Sequence, residues 1–295
     1  MIDVQVLEQV TRVQPLGLRF WDRVTASVID DGLLVTAYPI AYPSLRTESY
    51  TNRNGVYTFR NLPGLRETES GAGDAAFWAA HPQRFDFVVE VLDSQGRFLP
   101  FSLAVKLPLR GIYTFQNFEL ASPLDLQSFV PLYSTPSRPI ATPMAMLRAE
   151  LYDPLRRTPA AWAIVEAETG GSSPMRGIAD DQGRVLLPFP FPEPQSLGLG
   201  SPLRPGGIKL ADQMWQVDLK FAYTPQRQPT AIPDLTEVLK QLPATAWEDS
   251  LLSTPLTGIT LRFGQDVVLR SLSAASPPGS TQMSVLLITP AGSPP

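Results

Sequence analysis

The residues best suited to chemistry in this chain are a lone histidine, two acidic pairs and a glycine pair. His81 is the only histidine among 295 residues, and it precedes Pro82 at the end of an alanine-rich stretch. A serine hydrolase would need it as general base, with a serine in front and an acid behind. No Gly-x-Ser-x-Gly elbow supplies that serine. His81 is therefore read as a solvent-exposed residue at a helix end. One histidine and no cysteine exclude the usual zinc ligand sets. Asp30-Asp31 and Asp180-Asp181 have the oxygens for calcium or for glycoside hydrolysis. Each pair, however, adjoins a glycine turn between two strands, where Asp and Asn bond their own backbone. Gly198-Leu199-Gly200 has neither a Walker lysine nor a dinucleotide pattern after it. These residues lead to no enzyme, no cofactor and no metal, and a small-molecule ligand is not expected.

Composition narrows the class further. The chain is 43% hydrophobic and 18% charged, enough to build a core and too apolar for wholesale disorder. Its net charge of −4 comes with no stripe of Lys and Arg, so nucleic acid lacks its electrostatic attraction. Proline, at 31 residues, is roughly twice its average usage. Such a chain makes short elements, edge strands and long ordered loops, not long helices. The N-terminus has no basic and apolar regions of a secretory signal, and no apolar run reaches membrane-spanning length. The expectation is a protein cytoplasmic as synthesised, with no direct membrane span, incorporated into a particle that is membrane-associated or released by lysis.

The elements that would carry these residues are strands. Ile2, Val4 and Val6 alternate with polar residues, as do Leu16, Leu18 and Phe20. Turns at Asp30–Gly32 and Asn52–Gly55 feed strands at Leu33–Tyr38 and Val56–Phe59. Asp74–Ala80 reads as a short helix capped by Asp74. Phe85–Leu92 and Leu99–Leu107 form a hairpin about Asp93–Gly96, and Ile112–Leu120 is a further strand candidate. Trp162–Ala167, Arg184–Leu187 and Trp215–Phe221 are the clearest later strands. Pro233–Leu242 carries a second helix signal. A tail hairpin is expected from Ile259–Phe263 and Val267–Leu272 about Gly264–Asp266, followed by a strand at Met283–Thr289. The fold class is all-β: two β-sandwich modules, transthyretin-like or Ig-like, with proline-rich loops and a C-terminal β extension. The expected boundaries are 1–122 for the first module, 123–145 for a proline-rich linker, and 146–295 for the second module with its extension.

One phrase occurs twice, about 130 residues apart. It runs from Asp22 through Leu34-Val35-Thr36-Ala37 to Arg53-Asn54-Gly55-Val56-Tyr57. It runs again from Asp153 through Ile164-Val165-Glu166-Ala167 to Asp181-Gln182-Gly183-Arg184-Val185. The first copy, closing in GVYTFRNLPGL at Gly55 to Leu65, resembles the carboxypeptidase-regulatory-like or transthyretin-like sandwich family. The second lacks the aromatic strand and the Leu-Pro-Gly turn. Over residues 16–66 the chain also resembles proteins encoded beside contractile, phage-tail-like injection systems. That resemblance implies a non-enzymatic structural subunit, built into or onto a baseplate, whose partners are other baseplate, sheath or spike proteins.

On this reading protein contacts fall on the loops Thr68–His81, Pro131–Pro143 and Pro188–Gly207, with Trp78, Phe191 and Trp21 as candidate contact residues. The alternative is a carbohydrate-binding or adhesin-like module that stacks sugars on exposed Trp and Tyr.

Overall fold

The computed structural model describes residues 12–115, 128–140, 144–170, 173–193, 210–225, 231–273 and 282–292. The fold is all-β, with two short α-helices among the described residues. The chain divides into two compact units. One holds Met1–Gln95 and Pro100–Leu132, the other Gly96–Leu99 and Tyr133–Pro295. The strand expected at Ile2–Val6 lies outside the described residues.

In the first unit, β1 (Gly17–Leu18), β2 (Phe20–Asp22) and β3 (Ser27–Ile29) follow one another. Next come β4 (Leu33–Pro39), β5 (Thr47–Glu48), β6 (Tyr50–Thr51) and β7 (Tyr57–Thr58). Helix α1 (Ala75–Ala80) precedes β8 (Phe85–Asp93), β9 (Phe101–Leu107) and β10 (Val130–Leu132). The sheets run β1-β7-β6, β10-β2-β3 and β5-β4-β8-β9. Period-two alternation decides what is buried. Val35 and Ala37 of β4, Phe87, Val89 and Val91 of β8, and Leu103, Val105 and Leu107 of β9 all point into the core. Leu16, Leu18 and Phe20 are fully buried as well, with the Phe20 ring edge-on to Tyr57 at 5.1 Å and near Phe101 at 6.4 Å.

The second unit holds β11 (Ala145–Asp153), β12 (Thr158–Pro159), β13 (Ile164–Thr169), β14 (Met175–Ile178) and β15 (Arg184–Phe189). They are followed by β16 (Met214–Ala222), α2 (Leu235–Val238), β17 (Pro243–Trp247), β18 (Gly258–Arg262), β19 (Val267–Leu269) and β20 (Leu286–Pro290). In β16 the expected alternation is complete: Trp215, Val217, Leu219 and Phe221 are buried, while Gln216, Asp218 and Lys220 are exposed. β17 pairs with both β16 and β20 and so joins the strands of this unit into one continuous sheet. Gly96–Leu99 also belongs to this unit, where Phe98 bridges Ser134 and the Arg138 guanidinium lies 4.7 Å from the Phe98 ring.

The repeated phrase is a repeated topology. The first strand of each unit ends on a fully buried aspartate that opens a hairpin, with Asp22 opposite Ser27 and Asp153 opposite Thr158. Asp22 accepts from the Val24 N–H at 3.0 Å, and Asp153 from the Leu155 N–H at 2.9 Å. The glycine turn is also the same, atom for atom. Asn52 Oδ1 accepts from the N–H groups of Asn54 and Val56; Asp180 Oδ1 accepts from those of Gln182 and Arg184. After the turn, Leu18 pairs with Tyr57 as Ala149 pairs with Val185. On its other side the first strand takes a parallel partner: Phe20 faces Val130, and Leu151 faces Leu286. β4 and β8 pair with Val35 opposite Val91, as β13 and β16 pair with Val165 opposite Phe221.

Two expectations are corrected. The tail does not form a hairpin. β18 pairs antiparallel with β16, whereas β19 pairs parallel with β11, so the Gly264–Asp266 turn crosses between partners. The stretch 123–145 is not a free linker where it is described. Val130–Leu132 is a fully buried strand on β2, and Tyr133 and Ser134 are buried after it. Of the strand candidate Ile112–Leu120, Ile112 makes an isolated bridge to Gly17, and residues 116–120 lie outside the described residues.

The two glycine turns differ in how closely the backbone packs around them. A Cβ on Gly183, at φ +76°, would sit 2.3 Å from the Leu151 carbonyl oxygen. A Cβ on Gly55, at φ +69°, would meet side-chain carbons at 3.3 Å or more. Gly183→Ala is predicted to cost about 2–4 kcal/mol, against about 1 kcal/mol for Gly55→Ala. Chemical denaturation of the two variants measures this; equal losses would refute the packing argument.

Candidate functional site

The connection from β7 to β8 builds an exposed apolar arm. Its root is buried: Leu62 and Leu65 plug the core, and Thr68 Oγ1 donates to the Leu65 carbonyl at 2.7 Å. Its end is α1, with sequence Ala-Ala-Phe-Trp-Ala-Ala and not one buried residue. A six-residue helix is too short to persist on propensity alone, so local bonds must hold it. The Asp74 carboxylate accepts from the Phe77 N–H at 2.8 Å. Trp78 Nε1–H donates to the Gly73 carbonyl at 3.1 Å, and the two rings Phe77 and Trp78 meet edge to face at 5.2 Å. Phe77 lies against Gly71 so closely that any Cβ there would overlap the ring. His81 closes the helix: its Nδ1 is 2.8 Å from the Phe77 carbonyl and its ring packs tilted against Phe77 at 4.6 Å. The histidine expected to be exposed is thus half-buried and bonded within the arm.

At the end of the sheet where α1 leads into β8, the β4–β5 hairpin loop presents Ile40, Tyr42 and Leu45 to solvent. The Ile40 N–H donates to the Asp86 carbonyl at 3.0 Å, which fixes the start of the loop on β8. Phe85 stands at the same end and is 45% exposed, although it lies on the inward face of β8. The register gives its counterpart in the second unit as Trp215, which is 8% exposed because Phe191 and Phe263 cover it at 5.9 and 6.5 Å. The second hairpin loop carries Gly170-Gly171-Ser172-Ser173-Pro174 where the first carries its apolar residues.

The candidate contact residues sit in different settings. Trp78 is half-buried on the exposed arm. Trp21 is half-buried in β2, its ring 5.4 Å from Phe129. Phe191 is half-buried and packs on Phe263 at 4.8 Å, as part of its own unit's core wall. No ring contact among the described residues joins Trp21 to Trp78. Of the loop Pro188–Gly207, residues 194–207 lie outside the described residues. Ile40 and Leu45 were not singled out by sequence reasoning. The available signal was the contrast between Ile-Ala-Tyr-Pro-Ser-Leu and Gly-Gly-Ser-Ser-Pro at matching places in the repeat.

The acids are held by structural bonds. Asp180 accepts from its own turn and pairs with Arg184 at 2.8 Å, and Asp153 accepts two backbone N–H groups and Arg156. Among the described residues no group of three or more His, Asp or Glu gathers as a metal site would require. Glu90 is bound on both sides: Tyr38 O–H donates to it at 2.6 Å, and Arg46 pairs with both carboxylate oxygens while lying 4.4 Å over the Tyr38 ring.

No protein-family model matches the chain, and no curated protein matches it. Among solved structures, the shaft pilin SpaA from Lactobacillus rhamnosus GG aligns over 97% of this chain and 100% of its own, at 8% identity and a TM-score of 0.23. A point mutant of that pilin aligns at 9% identity and the same TM-score, over 96% of this chain and 100% of its own. A similarity of that size carries no argument about fold or function.

The Glu90 cluster makes a pH prediction. The Arg46 hydrogen bonds hold the Glu90 carboxyl below its ordinary range, against the opposing effect of burial, with Tyr38 adding to the lowering. Burial first, then Glu90, pushes the Tyr38 phenol up, which keeps it a donor. A carboxylate with a depressed folded value stabilises fully above its unfolded value, about 4.3, and loses that contribution as pH falls through the folded value. The wild-type chain should therefore melt above Glu90→Gln at pH 7, and the gap should close as pH drops below about 4. A gap that stays constant from neutral to acid pH would contradict the assignment.

Proposed function

We propose that this chain is a non-enzymatic structural subunit of a large multi-protein assembly, of the contractile, phage-tail-like kind, and acts through protein–protein contacts. The observation that carries the reading is α1: six apolar residues, none buried, fixed in place by a cap, an indole hydrogen bond and a ring packed on glycine. Exposed apolar groups that are rigidly held lose little entropy on docking, and tryptophan is the residue most enriched where binding energy concentrates. The Ile40–Leu45 loop and Phe85 extend the apolar surface at the same end of the sheet. The resemblance of residues 16–66 to proteins encoded beside injection systems supports the kind of assembly. Baseplate, sheath or spike proteins are the partners this reading names.

Trp78 is half-buried and its N–H is already taken by Gly73, so a sugar would find no free indole donor there. Glycan binding is therefore the less favoured reading, and it is distinguished by the same variant.

Sedimentation of particles from cells that make the protein tests the proposal. The chain should travel with sheath and tube proteins, and Trp78→Ala should reduce the bound fraction by about tenfold, the size of effect expected of a tryptophan anchor. Recovery of the chain only as free monomer, with particles assembling normally in its absence, would overturn the reading. Glycan-array binding abolished by Trp78→Ala would replace it with the carbohydrate reading.

A further inference from the structure

The two units differ at one equivalent pair of positions, and the difference ties a loop to a sheet. Aligned through Val35 opposite Val91 and Val165 opposite Phe221, Tyr38 and Glu90 occupy the places of Glu168 and Lys220. In the second unit Lys220 Nζ lies 3.1 Å from Glu168, so the ion pair is complete within two neighbouring strands. In the first unit an acid stands where the second has its lysine, and a neutral phenol where the second has its acid. Glu90 is only 12% exposed, so its charge needs a cation nearby. Among the described residues, its neighbours on β9 do not provide one. Ser102, opposite on β9, is neutral, and Lys106 is bound to Asp86 at 2.6 Å.

The cation comes from the loop instead. Arg46, at the far end of the β4–β5 connection, donates to both Glu90 oxygens, with Nη2 3.2 Å from Oε1, and stacks on Tyr38. The near end of the same loop is fixed by the Ile40 N–H to the Asp86 carbonyl. Between the two anchors run successive turns, Tyr42 N–H to Pro39 and Leu45 N–H to Tyr42, each 3.0 Å. The matching loop of the second unit contains no arginine or lysine.

We propose that Arg46, Glu90 and Tyr38 form an electrostatic latch that holds the exposed Ile40–Leu45 loop in one conformation against β8. It does not depend on the function proposed above. A planar guanidinium suits the task because it can pair with a carboxylate through two bonds and cover an aromatic face at once.

Hydrogen exchange resolved to single amides tests the latch. Arg46→Met keeps the aliphatic stem and removes the charge; Glu90→Gln keeps the shape and removes the acceptor charge. Because Arg46 is half-exposed, each change should speed exchange of the Ile40–Arg46 amides roughly three- to fivefold, with β9 amides unchanged. The double variant should go little further than either single variant, since both remove one interaction. Unchanged exchange in the loop, equal acceleration in β9, or fully additive effects would each overturn the proposal. Arg46→Met lies on the surface, so the test stands even if Glu90→Gln proves too unstable to study.

Discussion

The second unit depends on how its glycine turn is seated against β11. In the second unit the Leu151 N–H donates to the Gly183 carbonyl at 2.7 Å, and the Leu151 carbonyl accepts from Ala160 at 2.9 Å. That carbonyl lies where a side chain on residue 183 would begin. Only a residue without Cβ, in a left-handed conformation, lets the turn approach so closely. The approach sets the register of the post-glycine strand on the first strand. Register in turn decides which residues face inward, because a slip by one reverses every side chain. The Asx bonds of Asn52 and Asp180 hold the turn, and the buried aspartates Asp22 and Asp153 hold the other end of the same strand. Polar side chains usually cost stability when buried. These accept from backbone N–H groups and from the Thr25 hydroxyl and Arg156 guanidinium, so they organise the fold instead.

A shared inner frame leaves the outside free to diverge. Between β16 and β18 the second unit inserts α2 and β17, and β17 bonds to strands on both sides. The first unit connects the equivalent β8 and β9 through a turn at Asp93–Gly96. Its long connection lies elsewhere, between β7 and β8, and ends in α1. The second unit's counterpart of that connection begins by folding Phe191 back over Trp215 and Phe263. Phe191 covers Trp215 in the second unit, while Phe85 stays 45% exposed in the first. Sequence divergence within a conserved register is what turns two copies of one frame into two different surfaces.

What was legible in the sequence follows from the range of the forces involved. Alternation in Trp215–Phe221, the cap at Asp74 and both glycine turns are local, and each is present where the residues place it. The tail was misread because Gly264-Gln265-Asp266 signals a change of direction and says nothing about partners. β18 continues onto β16 while β19 crosses to β11, a choice made by long-range pairing. Pro131 was misread for a related reason. Proline cannot donate, yet a strand flanked on one side only can hold it, and Pro131 sits opposite Trp21 in the parallel ladder. The exposed residues Ile40, Tyr42, Leu45 and Phe85 look like core residues by type. Their exposure is set by tertiary packing, which residue type does not reveal.

Exposed apolar residues also carry a cost that the fold must absorb. Water around Ile40, Tyr42, Leu45, Phe85 and the α1 side chains gains nothing from the folded state, so these residues add little to stability through burial. The same segments are nevertheless ordered by specific polar bonds: the Asp74 cap, the Trp78 indole, the Ile40 amide and the Arg46–Glu90 pair. In the second unit Phe191 instead folds inward over Trp215 and Phe263. The first unit thus orders its exposed apolar residues through local polar bonds, where the second covers Trp215 with Phe191 and Phe263.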